Sequence, residues 1–352
     1  MIKTNEKFIQ RCLQLAQSGA GYVSPNPMVG AVLVSDDRII GEGSHRRFGD
    51  AHAEPNAIHS VKDPALLKNS TLYVNLEPCS YYGKTPPCAD LIVSCQIPRV
   101  VIGTLDPNPK VAGKGVEILR KAGIEVTVGV LEQDCRELNK RFFIFQEQKR
   151  PYIILKWAQT RDGFMDRKRL DVAEPPLVIS NAITRQLTHQ MRAENQSILV
   201  STNTVLLDNP SLTVRHWSGK NPIRIAIDRQ DRIPSDYHLL DGSVKTIIFT
   251  EKVKTNQAKV EYVKIDFDDH SLQTILGEIY ERNIHSVLVE GGALLLNSFI
   301  QAGLWDEANV EVSLQQITDG VTAPLLPLQP ILRKIFDGHE WLFFKNKEKI
   351  RI

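Results

Sequence analysis

The sequence predicts an α/β protein of two domains, and three observations carry that prediction. Strand and helix signals alternate through the first third of the chain. The same alternation restarts after Pro151. Between the two, Gln146-Glu147-Gln148-Lys149-Arg150-Pro151 is polar and ends in proline, which reads as a short linker. The expected domains are residues 1–147 and 148–352. At 352 residues the chain is long enough to bury two full cores.

The elements follow in order. A helix is expected over about residues 5–18, with Phe8, Ile9, Cys12, Leu15 and Ala16 on one stripe, so Cys12 reads as a buried small hydrophobe. Val29 to Val34 is a continuous apolar run, and Asp36-Asp37 turns it into Ile39-Ile40-Gly41, a hairpin signal. A helix begins near His52, and strands follow at Thr71–Leu76 and Val100–Thr104. Lys114 to Ala122 is helical and stops at Gly123. Ile124–Val128 is a strand and Leu131–Arg141 a helix. In the second half strands are expected at Tyr152–Trp157, Ile198–Ser201, Ile223–Asp228, Thr246–Thr250 and Ser286–Glu290. Helices are expected around Thr184–Met191, over Leu272–Arg282, and from Gly291-Gly292 to near Gly303.

Composition excludes several classes. Hydrophobic residues are 42% and charged residues 24%, ordinary for a globular chain. A net charge of +2 leaves no electrostatic footprint of a dedicated nucleic-acid binder. No apolar run approaches the roughly 18 residues of a membrane span, and the first residues lack the apolar core of a signal peptide. With five cysteines, an odd number, a reducing cytoplasm is the expected compartment. Cys95 and Cys135 belong to no motif.

Two strings carry the chemistry: His52-Ala53-Glu54, and Pro78-Cys79 followed by Pro87-Cys88. They supply one imidazole, two thiolates and one carboxylate that need not be a ligand. That is the part list of a zinc site that activates water to displace an amine from a nucleobase-like ring. Three protein ligands leave the fourth tetrahedral position for water, whereas a structural knuckle would need a fourth Cys or His. His59 is the only close candidate, nearly two helical turns beyond His52. Glu54 is placed to move protons. Cys88 is expected in the first turn of a helix, after Pro86 and Pro87, where a thiolate is favoured. Cys79 follows a strand's carboxyl end, where ligands gather in open α/β sheets.

Eight residues separate the two cysteines, unlike the Pro-Cys-x-x-Cys spacing of most nucleic-acid and cytidine deaminases. The string from Glu77 to Cys88 resembles the deaminase half of the bifunctional riboflavin-biosynthesis deaminase–reductases, as do Asn26-Pro27-Met28-Val29-Gly30-Ala31-Val32, Gly41-Glu42-Gly43-Ser44-His45 and Asp106-Pro107-Asn108-Pro109. The resemblance covers most of residues 5–145 and implies a cytidine-deaminase-like three-layer α/β/α domain. It also implies zinc on His52, Cys79 and Cys88, with Glu54 as proton shuttle. The implied substrate is 2,5-diamino-6-ribosylamino-4-pyrimidinone 5'-phosphate, held by Asn26, His45 and Lys84, losing its 2-amino group. Pro55, where the family usually carries an aliphatic residue, is tolerable in a first helical turn.

The second half is less transparent from its residues. Val289-Glu290-Gly291-Gly292-Ala293-Leu294 is strand, glycine turn and helix, a geometry that can cradle a phosphate or simply enter a helix. Asp208-Asn209-Pro210-Ser211-Leu212-Thr213-Val214-Arg215 is expected as one loop, and Arg192 as an exposed guanidinium closing a helix. Two such arginines suit a sugar phosphate, or form a solvated face. These strings, with Lys156–Gly163 and Ile198–Leu206, resemble the reductase half of the same fused family. The resemblance implies a dihydrofolate-reductase-like fold and NADPH-dependent reduction of the ribosyl side chain to ribityl. Asp208 would contact the sugar, and Arg192 and Arg215 its phosphate. Lys156, Thr160, Ser201 and Thr204 would line the cofactor, and Glu290, Gly291 and Gly292 would close the pocket.

Two stretches depart from the family pattern. Arg167–Pro176 is charged where a Gly/Ser-rich turn is usual, and Asp319–Pro324 is poorer in glycine. Both bear on the NADPH pocket. The expected partners are small-molecule pyrimidine ribosyl phosphates, with no nucleic acid and no membrane, and a homo-oligomer is the expected assembly. Two other readings compete: a zinc deaminase of nucleic acid or another nucleotide with a non-catalytic docking domain, and a nucleotide sensor whose second domain has lost catalysis. Near-neutral charge and the long cysteine spacing speak against the first; the complete zinc constellation speaks against the second for domain one.

Overall fold

The computed structural model describes residues 2–82, 86–109 and 111–346 and is α/β throughout. Its contacts divide it into two compact units between Lys149 and Arg150.

The first unit runs α1 (Ile2–Ala16), β1 (Gly30–Ser35), β2 (Arg38–Ser44), α2 (Ala53–His59), β3 (Thr71–Leu76), α3 (Cys88–Ser94), β4 (Arg99–Thr104), α4 (Lys114–Lys121), β5 (Glu125–Val128), α5 (Glu132–Leu138) and α6 (Lys140–Gln148). The described strands form a sheet in the order β2-β1-β3-β4-β5. β1 is antiparallel to β2 and β3, while β3, β4 and β5 run parallel. Alternate strand residues face opposite layers. Leu33, Leu72, Val74, Val100 and Ile102 pack with Ala53 and Ala57 of α2, Ile92 of α3 and Leu119 of α4. Val32, Val34, Tyr73 and Val101 pack on Phe8, Ile9 and Cys12 of α1 and Cys135 of α5. The result is the three-layer α/β/α arrangement expected. Gly43 makes the α2 contact possible: a Cβ there would lie 2.3 Å from the Ala57 nitrogen.

The second unit comprises β6 (Tyr152–Gln159), β7 (Phe164–Asp166), α7 (Ala182–Glu194), β8 (Ser197–Ser201), α8 (Thr202–Asp208), β9 (Ile223–Ile227), β10 (Thr246–Thr250), β11 (Val260–Lys264), α9 (Ser271–Glu281), β12 (Ser286–Val289), α10 (Ala293–Gln301), β13 (Glu307–Val312), β14 (Val321–Thr322), β15 (Leu332–Phe336) and β16 (His339–Lys345). Its large sheet has the order β11-β10-β9-β8-β12-β6-β13-β16-β15, and β14 pairs separately with β7. From β11 to β13 neighbours are parallel; β16 and β15 close the edge antiparallel. One face packs Leu155, Leu199, Phe249 and Val289 on Ile275, Leu296 and Phe299. The other packs Ile198, Val200, Ala226 and Ile248 on Val205, Ile233 and Leu239.

Several expectations need correction. The helix expected over Leu131–Arg141 is two helices, because Asn139 spends its side chain on Met28 and breaks the run. The second of them continues to Gln148, so most of the expected linker is helical. Strands β7, β11, β13, β14, β15 and β16 and helix α8 lie outside the sequence expectations. In β13 the alternation is hidden by polar residues that face inward with partners. Asn309 accepts from Trp341 Nε1, and fully buried Glu311 accepts from the Ser180 hydroxyl and pairs with His339. Asp208 is the last residue of α8, not the first of a loop.

Candidate active sites

The first site assembles at the carboxyl end of β3 and the start of two helices. His52 caps α2, Cys88 opens α3, and Cys79 follows β3. The ligand atoms of His52, Cys79 and Cys88 all lie within 4.8 Å of one another. His52 Nδ1 is 3.6 Å from Cys79 Sγ and 3.3 Å from Cys88 Sγ. Bond lengths of ~2.0 Å to nitrogen and ~2.3 Å to sulfur put such edges at about 3.5 Å in a tetrahedral zinc site. The backbone N–H of Cys88 donates to Cys79 Sγ at 3.3 Å. The hydrogen bond with Cys88, and then that with His52, draws the Cys79 thiol down, while the same contact and burial hold Cys88 up. One thiol of the pair is thus favoured as the thiolate that a metal needs.

Glu54, in the first turn of α2, is buried, and its Oε2 has no hydrogen-bond partner among the described residues. An orphaned buried carboxylate oxygen is costly unless something else occupies the space it faces. The Glu54 carboxyl interacts with Cys88 and His52, so an orphaned acceptor and three ligand atoms meet in one place, a donor set that would fit a zinc ion. Burial, with the nearby Cys79 charge, raises Glu54 from 4.5 to about 7.

His45 is buried at the end of β2 with its ring edge-on to His52, centroids 5.4 Å apart. Asn26 Nδ2 lies 3.1 Å from His45 Nε2, and His45 Nδ1 lies 3.1 Å from the Ala51 carbonyl. The structure thus brings Asn26, His45, His52 and Glu54 together, while Lys84 lies outside the described residues. Three supports were missed in the sequence. Asn75 accepts from Gly30 N and donates to the Met28 carbonyl, and Asn139 bonds both backbone groups of Met28, so the segment carrying Asn26 is clamped. Glu77 accepts from the N–H groups of Asp106, Gly113 and Val116. The signal available for Asn75 and Glu77 was a polar residue in or just after the apolar run of β3; Asn139, between α5 and α6, carried none.

The second unit holds a cleft of about 570 Å³. Its lining includes Ser201, Glu290, Gly291 and Gly292 from the carboxyl ends of β8 and β12, and Thr204 and Asp208 from α8. Ser201 caps α8, and its hydroxyl lies 3.2 Å from that of Thr204. Gly292 has φ +79°, and a Cβ there would meet Ser201 Oγ at 2.4 Å. Lys156, Thr160, Arg192 and Arg215 are not among the residues lining the cleft. Lys156 is buried in β6, and burial lowers its pKa against the pull of Glu290 and Glu311. Thr160 spends its hydroxyl on Asp162 and the Phe164 N–H. Arg192 is not exposed: its guanidinium bonds both oxygens of Glu290, whose side chain is 8% exposed, at 2.8 and 2.6 Å, and the Thr213 carbonyl. This corrects the expectation of a free guanidinium, since helix position alone did not reveal the carboxylate arriving from β12. Arg215 bonds the Thr213 hydroxyl, and its N–H donates to His189, which burial and the two arginines lower to about 4.

A His-Cys-Cys cluster with an orphaned glutamate in one unit, and a charged cleft at parallel strand ends in the other, define a two-site enzyme. Residues 2–104 match the cytidine and deoxycytidylate deaminase zinc-binding region, and residues 151–313 match the RibD C-terminal domain. The riboflavin biosynthesis protein RibD of Aquifex aeolicus is 40% identical over 94% of this chain and 93% of its own. That of Escherichia coli K12 is 34% identical over 96% and 95%. The solved diaminohydroxyphosphoribosylaminopyrimidine deaminase/5-amino-6-(5-phosphoribosylamino)uracil reductase of Thermotoga maritima is 37% identical, with a TM-score of 0.88 over 98% of this chain and 99% of that one. The chain belongs to the RibD family of bifunctional riboflavin-biosynthesis enzymes, with a zinc-binding deaminase domain and an NADPH-using reductase domain of dihydrofolate-reductase-like fold. The reading of the second half as a docking domain or a silent sensor falls with the reductase match.

Proposed function

We propose that this chain deaminates 2,5-diamino-6-ribosylamino-4-pyrimidinone 5'-phosphate in its first unit and reduces the resulting uracil's ribosyl group to ribityl in its second. The observation that carries the first step is the unpartnered, buried Glu54 Oε2 beside three metal-ligand side chains. His52, Cys79 and Cys88 would hold zinc, which when bound supplies the Lewis acidity that makes water a nucleophile near neutral pH. Glu54 takes a proton from the attacking water and returns it to the departing amine. Asn26, His45 and Lys84 hold the pyrimidine substrate.

In the second unit Ser201, Thr204, Gly291 and Gly292 form the cofactor side of the cleft, with Lys156 of β6 and Thr160 just after it in support. NADPH, when bound, supplies hydride to the sugar C1'. Asp208 orients the sugar. Arg192 and Arg215 are assigned to the substrate phosphate, with Arg215 supplying the positive charge because Arg192 is paired with both oxygens of Glu290. A cytoplasmic location is supported by five unpaired cysteines. A homo-oligomer is supported by the edge strand β15, where Leu332 and Ile335 are exposed. The test is Asp208→Ala: NADPH oxidation should fall about a hundredfold with ammonia release unchanged. Equal loss of both would contradict two independent sites.

A further inference from the structure

Arg169 lies on the loop after β7, inside the charged stretch that departs from the family's Gly/Ser-rich turn. A loop arginine is ordinarily solvated, yet this side chain is only 3% exposed. Its guanidinium is fully engaged. Nε donates to Asp166 Oδ2 at 2.7 Å, and one terminal nitrogen donates to the carbonyls of Leu207, at 2.9 Å, and Glu174, at 3.3 Å. The other reaches Asp166 Oδ2 at 2.6 Å and also Asp208 Oδ1. Asp166 in turn accepts the N–H groups of Arg167 and Leu177, so both ends of the loop are tied to the same carboxylate. β7, which ends in Asp166, pairs with β14 in the second departing stretch, and Lys168 pairs with Asp319 there. The two departures are thus one connected structure, anchored on the last residue of α8.

Asp166, Arg169 and Asp208 line the same cleft as Ser201, Glu290 and Gly292. Asp208 Oδ2 makes no hydrogen bond among the described residues, and the side chain is 33% exposed. We propose that Arg169 is a positioning residue of the reductase site: it fixes Asp208 through Oδ1 and leaves Oδ2 aimed at the sugar of the substrate. It also offsets a carboxylate that would otherwise repel a phosphorylated substrate at close range. The planar, always-charged fork suits this task, because it holds carboxylate and backbone carbonyls at once in fixed directions. The role rests on the assignment of Asp208 to the sugar.

The test is steady-state reduction by the full chain with the deaminated pyrimidine ribosyl phosphate as substrate. Arg169→Ala should raise KM for that substrate about tenfold, the effect of losing one well-placed charged contact. KM for NADPH and the rate of ammonia release should stay within about twofold. Arg169→Lys should recover part of the loss, since it restores the charge but not the fork. In an Asp208→Asn background, Arg169→Ala should add little. An unchanged KM, an equal rise in both KM values, or the same tenfold loss in the Asp208→Asn background would each overturn the proposal. Ammonia release reports that the variant chain still folds in its first unit, and an unchanged NADPH KM reports the same for the second. If Asp208→Asn alone leaves reduction intact, the assignment of Asp208 fails and the positioning role falls with it.

Discussion

Replacing Glu54 by glutamine should separate stability from catalysis in one substitution. The carboxylate is buried and rises from 4.5 to about 7 in the folded chain, chiefly through burial. Between those values the folded state holds more proton on Glu54 than the unfolded state, so stability falls as pH rises through that window. At ~1.4 kcal/mol per pH unit, the full cost above neutrality is about 3 kcal/mol in zinc-free protein. Glutamine keeps the shape and cannot ionise, so zinc-free Glu54→Gln should be more stable than the parent by up to ~3 kcal/mol at about pH 8 and indistinguishable at about pH 4. The three ligand side chains are untouched, so zinc stoichiometry should be unchanged. Loss of the proton shuttle should cut ammonia release by a factor of about 10² to 10⁴. The assay is urea unfolding of the chelated proteins at both pH values, with metal analysis and ammonia release on the zinc-loaded ones. A variant that loses zinc, keeps most of its activity, or gains no stability at high pH would refute the assignment.

Other consequences lie in the second unit. The fully buried Asp306 carboxylate accepts two bonds from Arg150, at 2.7 and 2.6 Å, and one from the Ile153 N–H at 2.7 Å. Asp306→Ala should therefore cost about 3–5 kcal/mol, read as a lower urea midpoint; a loss under about 1 kcal/mol would show that the bond network is dispensable. His285 is lowered from 6.5 to about 4 by burial. In that window the unfolded chain binds more proton, so stability is full above 6.5 and is lost on acidification toward 4, by at most about 3 kcal/mol. His285→Gln, which keeps a donor for Asn283 Oδ1, should flatten that acid limb; an unchanged limb would assign it to other groups.

The zinc constellation was legible because its chemistry needs fixed residue types in local strings. His52 and Glu54 are two residues apart, and each cysteine follows a proline that marks a strand end or a helix start. The three-layer first unit was legible because its strands alternate between two apolar layers. The second site was less so, since its pairs form across long separations that no local pattern encodes. Arg192 meets Glu290 from another strand, and Arg169 meets Asp208 through a loop. Strand β13 was missed because its inward positions include Asn309 and Glu311, whose partners make polar residues tolerable inside.

The most direct measurement supplies zinc-loaded chain with the diaminopyrimidinone ribosyl phosphate and NADPH, recording ammonia and NADPH in the same reaction. Two coupled chemistries in one chain predict ammonia release followed by an equal amount of NADPH oxidised. Ammonia without NADPH oxidation, even when the deaminated product is supplied directly, would contradict the reductase. Absence of both would contradict the pathway assignment itself.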